Sequence, residues 1–146
     1  MLTASRQVVR PMIGRLFPAE SRKFPGQRWV SISLRTCHLL GVAGVGGGFL
    51  YHAPEASWLA YLWLAVTSGA AMVVIQVWSN GIWLIQVRGL AVLVKLMLLA
   101  LAAWAGASRG PVLVAVIAIS GVTSHAPGNV RYFSPWHRRR METLRD

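Results

Sequence analysis

His38 and His52 bracket a glycine run, CHLLGVAGVGGGFLYH, in the first apolar block of the chain. On a helix, their 14-residue separation brings both to within about 40° of one direction and about 21 Å apart along the axis. Gly41, Gly44 and Gly48 lie close to the same face, and Gly44 with Gly48 forms a GxxxG pair. Such a face lets a second helix, or a flat cofactor, approach the backbone closely. His125 closes the last apolar block, Arg131 follows it, and Lys95 is the only charged residue well inside an apolar block.

Two histidines spaced this way on a glycine-bearing helix resemble the two-histidine helices of membrane cytochromes b. There each histidine ligates one haem, and glycines make room for the rings. The resemblance covers this helix alone and implies haem b. A bis-histidine haem needs a second histidine at the same depth on another helix. His125 can meet His38 in that way, whereas His52 has no such partner. One haem at most is expected, with His38 and His125 as axial ligands. Arg131 is placed to pair with a haem propionate or a lipid phosphate, because arginine suits either by bidentate hydrogen bonding. The alternative makes His38 and His125 interfacial residues bonded to backbone or lipid.

Lys95 is expected to snorkel towards headgroups, or to join His38 and His125 in one polar cluster. No carboxylate lies in any apolar block to pair with it. Cys37 is the single cysteine, so an intrachain disulfide is excluded, and paired-ligand zinc spacings are absent. Cys37 and His38 point about 100° apart on a helix, a poor copper site. Met72 and Met97 read as core filler, and Gln76, Gln86 and Ser120 as polar bridges between helices. No catalytic triad, P-loop or paired-carboxylate site is present.

The elements that would position these residues are long apolar segments. The chain has 146 residues, 55% hydrophobic and 13% charged, against about 25% charged in soluble domains. Helices are predicted over 31–51, 57–78, 90–107 and 111–123, each bounded by proline, glycine or polar residues. The stretch SNGIWLIQVRG reads as a turn with an interfacial segment. The expected fold class is all-α, an integral membrane four-helix bundle. Its parts are a basic interfacial segment over 1–30, a four-span domain over 31–125 and a basic aromatic tail over 126–146.

Residues 5–17, SRQVVRPMIGRLF, predict a short basic amphipathic interfacial helix or a disordered basic tail. The first apolar block begins about thirty residues in and lacks a cleavage site, so it reads as a retained helix rather than a signal peptide. The arginine-rich, acid-poor start is also what a mitochondrial presequence carries. Trp58, Trp78, Trp83 and Trp136 fall near predicted boundaries, as aromatic-belt residues do.

Charge placement sets orientation. With both ends in the cytoplasm, 13 of the 15 lysines and arginines lie on that side, and Arg109 alone lies opposite. The net charge of +11 thus points to anionic lipid headgroups and away from nucleic acid.

RTCHLLGVAGVGGGF and RGLAVLVKLMLLAL are similar to segments of bacterial copper-resistance D-type membrane proteins. In that family a His-Leu-Leu opening precedes a glycine-bearing helix, and a Lys-Leu pair sits in a later span. The similarity covers about a fifth of the chain. It implies a bacterial inner-membrane protein linked to copper or to redox enzymes, although methionine-rich and multi-histidine ligand sets are missing. The expected function is a non-catalytic accessory subunit of a larger membrane complex, with other subunits or further copies of itself as partners. The alternatives are a b-type haem electron-transfer subunit and a small oligomeric metal or solute transporter.

Overall fold

A computed structural model describes residue 18, residues 20–105 and residues 109–142. The amphipathic segment expected over 5–17 lies outside the described residues. Four long helices carry the fold: α1 (Gln27–Leu50), α2 (Glu55–Ser79), α3 (Val87–Trp104) and α4 (Arg109–His125). A 3-10 turn, Gly81–Ile85, joins α2 to α3. After α4 come the short α5 (Gly128–Arg131) and a hairpin of β1 (Phe133–Ser134) with β2 (Arg139–Arg140). The strands run antiparallel, with Phe133 opposite Arg140 and Ser134 opposite Arg139.

Helices α1 and α2 pack closely, and glycine makes it possible. A Cβ on Gly41 would stand 2.5 Å from Ala65 N, one on Gly44 2.2 Å from Tyr61 Cγ, and one on Gly48 2.5 Å from Trp58 Cδ1. Backbone and ring therefore occupy the space that a side chain would need. Phe49 meets Trp58 edge-on at 5.1 Å. Trp58, expected in an aromatic belt, is instead 7% exposed and belongs to this seam.

The α1 C-terminus is closed by a Schellman motif. Ala53 N donates to Gly48 O at 2.9 Å, with His52 left-handed at φ 50°. Glycine normally occupies that position, because a Cβ there is disfavoured.

Among the described residues, two helices are long and apolar enough to cross a membrane: α2, with mean hydropathy 1.8, and α3, with 1.9. A soluble core helix would be covered by its neighbours, but only 17% and 6% of their most apolar windows are buried. Trp63, Val74, Leu96, Met97 and Trp104 all face outward.

The densest burial lies at the end where α2 turns into α3. Ile82 and Ser134 are fully buried, and Trp83, Gln86 and Met141 are nearly so. Trp83, read from sequence as a belt residue, is a core residue. The basic aromatic tail folds back through its hairpin to bury Met141, while Trp136 remains exposed.

Candidate functional site

His38 leans from α1 onto α2. Its Nδ1–H donates to the Ala65 carbonyl at 2.8 Å, which leaves Nε2 as the acceptor nitrogen. Gly69 makes room for the ring, since a Cβ there would lie 3.1 Å from His38 Cε1. The α2 contribution, Ala65 and Gly69, was not legible in the sequence as part of a histidine site. Ala65 O also accepts from Ser68 Oγ at 3.3 Å, so the carbonyl has several donors.

Lys95 is tied sideways rather than reaching for a surface. Its Nζ donates to Ser120 Oγ on α4 at 2.9 Å, and Ser120 Oγ donates to Val116 O at 2.8 Å. The hydroxyl thus accepts one hydrogen bond and gives one. His125 is exposed at the last turn of α4, and His52 is exposed at the α1–α2 turn. The hydrogen bonds of His38 and Lys95 consequently run to different helices: His38 to α2 and Lys95 to α4.

The glycine face, expected from the sequence to make room for a second helix or a flat cofactor, is closed by α2. Tyr61, Ala65 and Trp58 of α2 fill the space beside Gly44, Gly41 and Gly48. These residues leave no room for a porphyrin on that face. Among the described residues, no group of three or more His, Cys, Asp or Glu side chains converges. Cys37 is a half-buried free thiol.

The most developed polar constellation is a cap at the α2–α3 end, built from three distant stretches of chain. Arg22 N donates to Ser79 O at 2.9 Å, and Ser79 Oγ returns a bond to Arg22 O at 2.7 Å. Asn80 Oδ1 accepts from Ile82 N at 3.0 Å, starting the 3-10 turn. Its Nδ2 reaches Ser21 Oγ at 3.3 Å and Glu142 O at 3.4 Å. Gln86, 1% exposed, donates from Nε2 to Met141 O at 2.5 Å and accepts from Arg88 Nε at 2.6 Å. Gly89 lets the turn close, because a Cβ there would lie 2.0 Å from Trp83 O.

This cap gathers arginines around one phenol ring. The guanidinium carbons of Arg88, Arg140 and Arg131 lie 4.6, 5.5 and 5.8 Å from the Tyr132 ring centroid. Each distance is within cation–π range. Arg140 also forms an ion pair with Glu142. Among the described residues, Arg131 Nε is buried with no hydrogen-bond partner. The sequence had singled out Arg131 alone; Arg88, from the start of α3, joins it only through the fold. Comparison with protein families, with curated proteins and with solved structures yields no match.

Proposed function

We propose that the chain is a four-span protein of the bacterial inner membrane, with both ends cytoplasmic. Its role is that of a non-catalytic accessory subunit packed against a larger membrane complex, redox enzymes being the class that the family resemblance favours. The observation that carries this reading is the outward display of large apolar side chains on every long helix. Trp29 and Leu39 on α1, Trp63 on α2, Leu96 and Trp104 on α3, and Val122 on α4 are each more than half exposed. Soluble monomers rarely expose apolar surface on this scale, whereas lipid tails and neighbouring helices cover it without cost.

Length supports four spans. The 24 residues of α1 rise about 36 Å and the 17 of α4 about 26 Å, against a hydrocarbon core of about 30 Å. The charge asymmetry supports the orientation. The closed glycine seam favours a structural subunit over a haem carrier, because the face that would hold a ring is spent on holding α1 to α2.

Two measurements test this. Reporter fusions after residue 146 and within residues 53–56 are expected on opposite sides of the membrane; the same side for both rejects the topology. On native gels of solubilised membranes, the 16.0 kDa chain is expected to migrate in a larger assembly with other polypeptides. Migration only as a monomer, or only as multiples of itself, rejects the accessory role.

A further inference from the structure

We infer that Arg88, Arg131 and Arg140, gathered around Tyr132, form a phosphate-binding site. Its ligand is the phosphate of an anionic phospholipid headgroup or a free phosphate. The inference rests on the membrane reading for its setting, not for its chemistry.

Charge comes first. Three guanidiniums converge on one ring, with Glu142 as the carboxylate paired to them through Arg140. Like charges held this close repel, more strongly as the surroundings become less polar. A bound anion relieves that repulsion. Guanidinium supplies parallel N–H donors whose fork matches phosphate oxygens, which an ammonium cannot do.

Position comes second. Arg88 lies in the first turn of α3, one of the two membrane-length helices. The cluster therefore stands at a helix end, at the level where headgroups meet protein.

Preorganisation comes third. Gln86 fixes Arg88 through its Oε1 and the tail through Met141 O. Met141 N in turn donates to Tyr132 O at 2.9 Å. The scaffold of the site is thus already set. Against this ordered frame, Arg131 Nε is a buried donor with no acceptor among the described residues. Buried donors without partners are rare and costly, and a ligand oxygen is what this one lacks.

The test uses the full chain in neutral detergent micelles. Thermal unfolding is followed while phosphatidylglycerol, phosphatidylcholine or inorganic phosphate is added. Phosphatidylglycerol is expected to raise Tm and phosphatidylcholine to leave it unchanged. If inorganic phosphate raises it as well, the free anion is also a ligand; if not, the headgroup is the source. Arg131→Gln is expected to weaken phosphatidylglycerol binding about tenfold. Arg140 is more exposed, its side chain 56% accessible, so Arg140→Gln keeps the test open should Arg131→Gln fail to fold. Arg28→Gln, on exposed α1 surface, makes the same charge change and is expected to bind normally. A chain that neither anion stabilises overturns the site, as does equal loss of binding in Arg28→Gln. Carbonate extraction separates the two readings. Release from the membrane rejects the bilayer setting, whereas retention without a phosphatidylglycerol shift rejects only the phosphate site.

Discussion

The ring of Tyr61 occupies the volume that a side chain at position 44 would need: a Cβ on Gly44 would stand 2.2 Å from Tyr61 Cγ. Three residues further along α1, Gly47 has nothing within 4 Å of the equivalent point. The two glycines sit on one helix, yet only one is held by packing. Gly44→Ala is expected to destabilise the chain by about 2 kcal/mol through overpacking. Gly47→Ala is expected to stabilise it by about 0.5 kcal/mol through helix propensity. Thermal denaturation in detergent measures both, and equal effects at the two positions would count against the seam.

Gln86 uses both ends of its amide inside the cap. Gln86→Leu keeps the bulk but leaves the Met141 carbonyl and Arg88 Nε without this partner. We expect a loss of about 2 kcal/mol and faster tryptic cleavage at Arg138–Arg140. A tail that resists trypsin as well as the parent chain would show that the cap does not hold it.

Lys95 and Ser120 should respond with opposite signs. Ser120→Ala removes the hydroxyl that accepts from the Lys95 ammonium, with an expected cost of about 1–2 kcal/mol. Lys95→Met removes the charge together with its need for a partner, and is expected to be neutral or stabilising. Greater damage from Lys95→Met than from Ser120→Ala would mean that the lysine has work beyond this bond.

His52 holds a left-handed backbone at φ 50° in the α1 cap. His52→Gly is expected to raise stability by about 1 kcal/mol, since glycine adopts this conformation without a Cβ penalty. A fall in Tm would identify a role for the imidazole that its exposed position does not explain.

The long helices were largely legible because apolar runs and their breakers are local signals. The helix predicted over 31–51 is Gln27–Leu50, and the one predicted over 57–78 is Glu55–Ser79. The glycine face was visible as spacing, but that α2 of the same chain fills it was not. The cap was hidden for a physical reason. Its bonds join Asn80 to Ser21 and Glu142, and Gln86 to Met141, across 55 to 62 residues. Such pairings leave no periodicity to read. Trp83 followed the belt rule by position, but the close approach at Gly89 draws its turn inward.

The cap also fixes an order of events during synthesis. Its partners at positions 21–22, 79–80 and 141–142 leave the ribosome at widely separated times. The amide nitrogens of Asn80 and Gln86 emerge and wait for their tail carbonyls while α3 and α4 are still being made. Only when Met141 and Glu142 follow can the last bonds close. The tail therefore acts as a latch that can close only after α3 and α4 have been made. A nascent chain stalled before Met141 would leave Gln86 Nε2 without the carbonyl that it meets in the folded cap.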